Sequence, residues 1–355
     1  MKKYNFSAGP STLPEEVIQQ ASQAVLDFNN KGISLIEISH RSKDFIAIMD
    51  EARALAKKLM KLDDNHEVLY LQGGASLQFS MVPYNLLKSK AAYVDSGNFA
   101  SMAIKEAEKI GKIEIIASSK QDKYTYIPKD YAVPSDADYL HITSNNTVYG
   151  TEIKTFPNTN IPIVCDMSSD ILSRNINYNK FAILYAGAQK NLGPAGVTMV
   201  VVDKTLLGTT GRNLPSYLDY EVHLAKDSMA NTPPVFAVYT TLLNLRWLDK
   251  QGGPEGIEKK NKEKAELLYN EIDRNPLFRG ICVKEDRSLM NVCFFLNDEE
   301  KHKAIFDQMC KDANIVGVGG YRTVGGYRAS IYNAMPLEGV QVLVNVMKEL
   351  EKTHN

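Results

Sequence analysis

The chain has 355 residues, more than the about 250–300 at which a single hydrophobic core usually stops growing, so two domains are expected. Its 41 basic and 42 acidic residues nearly cancel, which gives no bulk attraction to nucleic acid or to an acidic membrane. No apolar run reaches the about 18 residues of a membrane span. The amino-terminal sequence MKKYNFSAGPSTLP lacks the apolar segment of a signal peptide. We therefore expect neither nucleic acid nor a membrane as a partner.

Amphipathic helices and apolar strands alternate along the first part of the chain. Segments 14–32 and 42–62 carry apolar side chains at helical spacing. Seven short apolar runs rich in Val, Ile and Tyr follow, at 66–72, 91–97, 112–118, 136–145, 161–167, 181–189 and 197–204. Such strands are typical of a parallel sheet that is covered on both faces. The last two runs are joined by NLGPAG, which is too short for a crossover and therefore favours an antiparallel pair.

The alternation of amphipathic helices and apolar strands stops after residue 203. An irregular stretch leads into NTPPVFAVYTTLLNLRWLDK, read as a helix with Thr232 as its N-cap and Pro233 at its first position. A second alternation then begins, with apolar runs ICVKE, NVCFFLND and RASIYNA and a closing helix. We expect a large domain at 15–255 and a smaller carboxyl-terminal α/β domain at 256–355. Residues 1–14 are expected to pack across the active site or the small domain.

Four cysteines occur, and none forms a C-x-x-C pair. Each lies in apolar surroundings, which is typical of buried free thiols in a reducing compartment. We therefore expect a cytoplasmic location. Hydrolase and metal-binding motifs are also missing from the sequence, so no metal is expected.

Asp166 ends one apolar run, and Lys190 directly follows the next. Because ligands of open α/β sheets bind at the carboxyl ends of the strands, we expect the two side chains to face one crevice. An aldehyde cofactor needs a lysine amine for its Schiff base and a carboxylate for its ring nitrogen. Taken alone, each residue is more typical of a solvated surface charge. Together they indicate a cofactor site.

Two further features suit anions. Gly73, Gly74, Ala75 and Ser76 follow a strand and precede a helix, where small residues and free N–H groups favour a phosphate, although a simple tight turn has the same pattern. Arginines precede the second helix or lie in a glycine-rich segment, namely Arg41, Arg322 and Arg328. Arginine binds carboxylate or phosphate through two hydrogen bonds. The alternative is a flexible loop with solvated arginines.

Seven segments resemble the phosphoserine aminotransferase family: NFSAGP, SHRS, GGASLQF, DMSSDILSR, YAGAQKNLGPAG, NTPP and RASIYNAMPLEGV. They are spread from one end of the chain to the other. The resemblance implies the α/β architecture of fold type I pyridoxal-phosphate enzymes. That architecture has a large domain with a seven-stranded, mostly parallel sheet and a smaller carboxyl-terminal α/β domain. It also implies a homodimer with both active sites at the subunit interface.

Carried over by position, the resemblance makes Lys190 the Schiff-base lysine for pyridoxal 5'-phosphate and the proton carrier at the substrate α-carbon. The other cofactor contacts it implies are Asp166 at the ring nitrogen, Phe99 over the ring, Thr147 at the ring hydroxyl, Ala75, Ser76 and Gln189 at the phosphate, and Asn231 and Thr232 from the other subunit. The substrate contacts it implies are Arg328 at the α-carboxylate and His40, Arg41, Tyr321 and Arg322 at the distal anion, with Arg322 from the neighbouring chain.

Two positions depart from part of the family. Phe99 stands where many members have Trp, and its smaller ring can still stack, with weaker contact. Tyr321 stands where some members have His, and its hydroxyl can hydrogen-bond a phosphate without carrying positive charge.

The activity implied is transfer of the amino group from L-glutamate to 3-phosphohydroxypyruvate, for serine biosynthesis. Some bacterial members also act on a phosphorylated precursor of vitamin B6 (pyridoxine), and the residues leave this open. Two alternatives remain. A cysteine desulfurase-like enzyme would need a reactive cysteine on a mobile loop, for which Cys310 is the candidate, although its surroundings favour a helix. A non-catalytic cofactor-binding scaffold would not need both Lys190 and Asp166.

Overall fold

The computed structural model describes residues 3–354. The elements up to residue 203 are β1 (Tyr4–Asn5), α1 (Glu15–Leu26), α2 (Lys43–Met60), β2 (His66–Leu71), α3 (Gly74–Leu86), β3 (Lys90–Asp95), α4 (Asn98–Ala107), β4 (Lys112–Ser118), β5 (Leu140–Thr143), β6 (Asn145–Asn146), β7 (Thr151–Glu152), β8 (Ile163–Asp166), β9 (Ile183–Gly187) and β10 (Thr198–Asp203). The later elements are α5 (Tyr220–Leu224), α6 (Val235–Lys250), α7 (Gly253–Arg274), β11 (Phe278–Gly280), β12 (Asn291–Leu296), α8 (Glu299–Asp312), β13 (Ile315–Val316), β14 (Tyr327–Ser330) and α9 (Leu337–His354).

The seven apolar runs form one sheet in the order β2-β10-β9-β8-β5-β3-β4. The neighbouring strands from β4 to β9 pair in parallel. Strand β10 is antiparallel to both β9 and β2. The mostly parallel seven-stranded sheet and the antiparallel final pair are therefore confirmed.

Helices cover both faces of this sheet. Alternate residues of one strand belong to opposite layers, as at Val200 and Val201 in β10, because successive side chains of a strand point to opposite faces. Residues of α2 and α6 fill one layer, and residues of α3 and α4 fill the other. The carboxyl ends of the parallel strands are left as the sheet edge that can hold a ligand.

A second hydrophobic cluster lies in the carboxyl-terminal part of the chain. The antiparallel sheet β11-β12-β14 packs with α7, α8 and α9 around apolar side chains that include Phe294, Phe306 and Leu343. Phe6 joins this cluster, and β1 pairs in parallel with β13. The division at residues 255 and 256 falls inside the first turn of α7 and stays a prediction.

Two local predictions are wrong. Helix α6 begins at Val235 with Pro234 as its N-cap, so Thr232 is not the cap. A residue before proline is pushed toward extended geometry, so Pro233 cannot start a helix ahead of Pro234. The strand expected at ICVKE lies earlier, at β11, where it pairs with β12. The thiol of Cys282 instead contacts the carbonyl oxygen of Gly150.

All four cysteines are free and buried, as predicted. Among residues 3–354, no helix is long and apolar enough to cross a membrane. Within the same range, no group of three or more His, Cys, Asp or Glu side chains could hold a metal ion.

Candidate active site

Lys190 and Asp166 come from neighbouring parallel strands. Asp166 is the last residue of β8, and Lys190 follows β9 by three residues. In the β8–β9 register Asp166 lies opposite Tyr185. The sheet therefore brings the carboxylate and the amine to the same edge, as the sequence predicts.

The Lys190 amine is held between a hydroxyl and an aromatic ring. Its Nζ donates a hydrogen bond of 2.9 Å to Oγ1 of Thr147 and lies 5.2 Å from the centroid of the Phe99 ring. Thr147 is buried, and Phe99 is half-buried. Three residues that are distant in sequence therefore meet at one nitrogen atom.

Burial lowers the pKa of Lys190 to about 8. The negative charge of Asp166 opposes this shift, whereas the positive charge of Arg328 adds to it. A lysine with this pKa has a substantial neutral fraction near neutral pH, and the neutral amine is the nucleophile.

Asp166 is buried, and burial raises its pKa, whereas the nearby Lys190 charge and a hydrogen bond from Ser168 lower it. The backbone N–H of Ser168 donates to Oδ1 at 2.9 Å. Among the described residues, Ser168 is the hydrogen-bond donor to this carboxylate, which therefore keeps acceptor capacity for a ligand.

Arg328 reaches the same place from β14. Its Nη1 lies 3.4 Å from the carbonyl oxygen of Thr147. Its Nε is buried and has no partner in the described part of the chain. Because a buried donor without a partner is costly, this nitrogen is available to an acceptor on a bound substrate.

The start of α3 provides free backbone donors. Gly73 is the N-cap and has no side chain to accept from the first turn, where Gly74, Ala75 and Ser76 lie. Its φ of 90° favours glycine, and an added Cβ would lie 2.6 Å from the Leu77 side chain. The first N–H groups of this helix are therefore left for a ligand.

Asn231 and Thr232 lie beside this turn in the same chain. The Asn231 amide donates to Oε1 of Gln72 at 2.8 Å, and Nε2 of Gln72 donates to the Thr232 carbonyl oxygen at 3.3 Å. Gln72 is two residues before α3. Their role toward a second subunit stays a prediction.

The amino-terminal segment covers the Lys190 loop. The backbone N–H of Ser11 donates to the Gln189 carbonyl oxygen at 3.0 Å, and the Ser11 hydroxyl donates to the Lys190 carbonyl oxygen. A Cβ on Gly9 would lie 3.2 Å from Cγ of Gln189. Residues 9–11 therefore pack on the loop that carries Lys190. The role of Ser11 had no sequence signal, because 179 positions separate it from Lys190.

The residues expected to bind a distal anion are at the surface. Arg41 is exposed and His40 half-exposed, in the turn before α2. Tyr321 and Arg322 lie in an exposed turn, where the N–H groups of Val324 and Gly325 donate to the Tyr321 carbonyl oxygen. Within residues 3–354, the Arg41 guanidinium makes no hydrogen bond or ion pair. Within a single chain, the described structure therefore shows no contact between these residues and Lys190.

Tyr321 is nevertheless close to the rim of the site. Burial raises the pKa of Tyr149, and the nearby hydroxyl of Tyr321 adds to this shift. The Tyr149 hydroxyl donates to Oδ1 of Asn98 at 3.1 Å, and Asn98 precedes Phe99. The turn that carries Tyr321 therefore lies on the Phe99 side of the site.

These groups fit pyridoxal phosphate. The amine of Lys190 can hold the aldehyde carbon, the carboxylate of Asp166 can hold the ring nitrogen, and the start of α3 can hold the phosphate. Arg328 Nε is left for a substrate anion. Cys310 is buried in α8 and not on a loop, which removes the feature that a desulfurase-like enzyme would need.

Comparison with known proteins agrees with this site. The family model described as aminotransferase class-V matches residues 3–343. The chain is 61% identical to the phosphoserine aminotransferase of Flavobacterium johnsoniae, over 99% of both chains. It is 53% identical to that of Bacteroides thetaiotaomicron, over 100% of both.

Solved structures give the same result. The phosphoserine aminotransferase from Bacillus circulans subsp. alkalophilus superposes with a TM-score of 0.96 at 42% identity, covering 100% of this chain and 99% of that one. The pyridoxal-phosphate-bound phosphoserine aminotransferase from Trichomonas vaginalis gives 0.92 at 34% identity, covering 98% and 100%. The chain therefore belongs to the class-V aminotransferase family, among its phosphoserine aminotransferases, and is a pyridoxal-phosphate-dependent aminotransferase.

Proposed function

We propose that this chain transfers the amino group of L-glutamate to 3-phosphohydroxypyruvate, giving O-phospho-L-serine and 2-oxoglutarate in serine biosynthesis. The observation that carries the proposal is the amine of Lys190, held by Thr147 beside the buried carboxylate of Asp166 and the guanidinium of Arg328. The four buried free thiols support a cytoplasmic location.

When bound, pyridoxal phosphate supplies an electron-poor ring that takes up the electrons released as the substrate loses its α-proton. Lys190 is the group that moves this proton, because its lowered pKa of about 8 lets the amine both accept and return a proton near neutral pH. Thr147 keeps the nitrogen atom oriented in the site through its hydrogen bond.

The remaining residues hold the reacting groups. Asp166 would keep the ring nitrogen protonated through its carboxylate. Phe99, whose ring centroid lies 5.2 Å from the Lys190 amine, would lie over the cofactor ring. Ala75 and Ser76 would donate their first-turn N–H groups to the phosphate, and Gln189 would contact it as well.

The substrates share an α-carboxylate and a distal anion, so one set of cations can serve both. We assign the α-carboxylate to Arg328, whose Nε lacks a partner among the described residues. The distal anion is assigned to His40, Arg41, Tyr321 and Arg322. Because Arg41, Tyr321 and Arg322 are exposed in one chain and His40 is half-exposed, a homodimer with shared sites explains how the distal-anion site is completed.

Comparing acceptors tests the reaction. The purified enzyme should transfer the amino group of glutamate to phosphohydroxypyruvate far faster than to pyruvate or glyoxylate. Arg41→Ala should remove most of this preference, because the distal phosphate loses its cation. The control is Arg279→Ala, an arginine in β11 that stacks on Phe295. Equal rates with all three acceptors in the wild-type enzyme would refute the assigned substrate.

Mixing two variants tests the shared site. Lys190→Ala and Arg322→Ala homodimers should each be impaired, and mixed dimers should recover one intact site if Arg322 comes from the other subunit. The matched control mixes Lys190→Ala with Arg328→Ala. Because Lys190 and Arg328 meet in one chain, that mixture should recover nothing. If the first mixture also recovers nothing, Arg322 lies in the same subunit as Lys190.

A further inference from the structure

A set of buried amide side chains joins the segments that carry Lys190 and Thr147 to the strand that carries Arg328. Its members are at most 5% exposed, and they are Asn145, Asn191, Asn261, Asn291 and Asn333. None of them touches the Lys190 amine in the described hydrogen bonds. The amides therefore form a connection behind the site.

The first connection runs between β6 and β12. Nδ2 of Asn145 donates to Oδ1 of Asn291 at 2.8 Å and to Oγ of Ser169 at 2.8 Å. Oδ1 of Asn145 accepts from the Ser288 hydroxyl at 2.6 Å. Asn145 is two residues before Thr147, so this amide ties the hydroxyl that holds Lys190 to β12.

Asn291 extends this hydrogen-bonded connection to β14. Its Nδ2 donates to Oγ of Ser330 at 3.0 Å and to the Tyr332 hydroxyl at 3.1 Å. In the β12–β14 register Asn291 lies opposite Ser330 and Cys293 lies opposite Arg328. Because residues two apart on a strand share a face, Ser330 and Arg328 point to the same side of β14. Asn291 therefore fixes the strand directly next to Arg328.

The second connection starts at the residue after Lys190. Oδ1 of Asn191 accepts from the backbone N–H of Asn333 at 3.0 Å, and its Nδ2 donates to the Ser169 carbonyl oxygen at 3.2 Å. Oδ1 of Asn333 accepts from Asn261 at 2.8 Å. The chain that leaves β14 is thus attached to the loop that carries Lys190.

We propose that Asn291 and Asn191 are positioning residues that fix the guanidinium of Arg328 relative to the amine of Lys190, and thereby set how tightly the substrate α-carboxylate is held. The inference rests on the proposed function, in which Arg328 binds that carboxylate. Amide side chains suit this task, because each offers both a donor and an acceptor at fixed geometry and carries no charge into the interior.

The test is a double-mutant cycle between Asn291→Leu and Arg328→Gln. Leucine keeps the branched shape of asparagine and removes all three amide hydrogen bonds. The readout is the dissociation constant of 2-oxoglutarate for the cofactor-loaded enzyme, measured by calorimetry without turnover. A hydrogen bond to a charged group contributes about 10- to 100-fold to an equilibrium constant, and a misplaced Arg328 loses such bonds to the carboxylate. We therefore expect about 10- to 100-fold weaker binding in Asn291→Leu.

The decisive comparison is with the double variant. If Asn291 acts through Arg328, the double variant binds no more weakly than Arg328→Gln alone. The visible absorbance spectrum of the bound cofactor should match wild type in Asn291→Leu, because Lys190, Asp166 and Thr147 are retained. Additive losses, or wild-type binding by Asn291→Leu, would overturn the inference. Wild-type binding by Arg328→Gln would overturn both the inference and the assigned role of Arg328.

Two further variants test whether weaker binding by Asn291→Leu comes from a general folding defect. Ser330→Ala removes only the hydroxyl that accepts from Asn291, and about 2- to 10-fold weaker binding is expected for one lost hydrogen bond. Asn275→Leu is the matched control, since Asn275 is buried and hydrogen-bonds Glu271 and the Met347 carbonyl oxygen, outside this set. It should lower stability and leave binding unchanged. Equal weakening by Asn275→Leu and Asn291→Leu would attribute the effect to general loosening and reject the positioning role.

Discussion

The amine of Lys190 donates its hydrogen bond to the Thr147 hydroxyl, and the carbonyl oxygen of Thr147 lies 3.4 Å from a guanidinium nitrogen of Arg328. One threonine thus contacts both the group assigned to the cofactor and the group assigned to the substrate. Its hydroxyl and its carbonyl have separate partners, so either contact can be altered by mutation without removing the other.

Replacing Lys190 should abolish both cofactor attachment and proton transfer. Lys190→Ala is expected to lose the visible absorbance band of the bound cofactor and at least about 10³-fold in activity, as expected for loss of a general acid–base group. The control is Lys264→Met. Lys264 is also buried, with its pKa lowered to about 7, but it donates to the carbonyl oxygens of Ile331 and Tyr332. If the band persists in Lys190→Ala and vanishes in Lys264→Met, the cofactor is attached to Lys264 and the assignment of Lys190 is wrong.

Cofactor loading should depend on pH. The amine attacks the aldehyde only when neutral, and burial lowers the pKa of Lys190 to about 8. The rate at which cofactor-free protein binds pyridoxal phosphate should therefore rise as the pH increases through about 8 and then level off. Arg328 contributes to lowering this pKa, so Arg328→Gln should move the midpoint upward. A rate that falls with pH over this range would contradict the prediction.

Replacing Asp166 should lower the reaction rate more than it weakens cofactor binding. Asp166→Asn removes the negative charge that keeps the ring nitrogen protonated, and a loss of about 10²–10³-fold in the glutamate half-reaction is expected for a lost electrostatic contact. Single-turnover absorbance measurements would show it. Asp170→Asn is the control, because Asp170 is also buried and lies four residues further along. Similar losses in both variants would remove the special role of Asp166.

A buried ion cluster should dominate stability near the site. Arg174 bridges Glu152 and Asp170, each at 3.1 Å, and all three side chains are buried. Arg174→Met leaves two buried carboxylates and should lower the free energy of unfolding by about 3–5 kcal/mol. Urea titration measures this. The control Arg246→Met breaks an exposed pair with Glu51 and should cost less than about 1 kcal/mol.

The same cluster also predicts how stability changes with pH. Burial raises the pKa of Asp170 to about 6, so the folded state binds a proton that the unfolded state does not between about 4 and 6. Stability from this group therefore rises as pH falls through that window. Losing the Arg174 charge raises the pKa of Asp170 further. The loss in free energy of unfolding caused by Arg174→Met should therefore be smaller at pH 6 than at pH 8. A deficit that grows on acidification would refute this account.

The sequence predicted the fold well where local pattern and tertiary contacts agree. All seven apolar runs became strands of one sheet, because their length and composition suit burial on both faces. Thr232 and the run ICVKE were misread because tandem prolines and strand pairing across the chain overrode local propensity. Edge strand β4 departs from this pattern, since Ile115 is 49% exposed and the charged residues Lys112 and Glu114 interrupt its apolar residues.

The site was predictable in part. Lys190 and Asp166 followed from strand ends, because sheet geometry converts sequence order into spatial neighbours. The resemblance supplied Phe99 and Thr147, and it gave the substrate α-carboxylate to Arg328, which the local pattern had indicated only as an anion-binding arginine. Ser11 and the amides at 145 and 291 gave no local signal, because their partners lie more than a hundred positions away. Buried polar networks form between distant segments, so composition and periodicity do not reveal them.

The antiparallel pairing of β9 with β10 also limits how this part of the chain can change in length. Gly187 lies opposite Thr198, and the N–H of Ala188 bonds the Val197 carbonyl oxygen at 3.0 Å, so the lysine loop is closed at both ends. An inserted or deleted residue there must either bulge at Lys190 or slip one strand, and a slip by one turns every side chain to the opposite face. We therefore expect insertions and deletions to be tolerated in surface turns long before they are tolerated between residues 187 and 198.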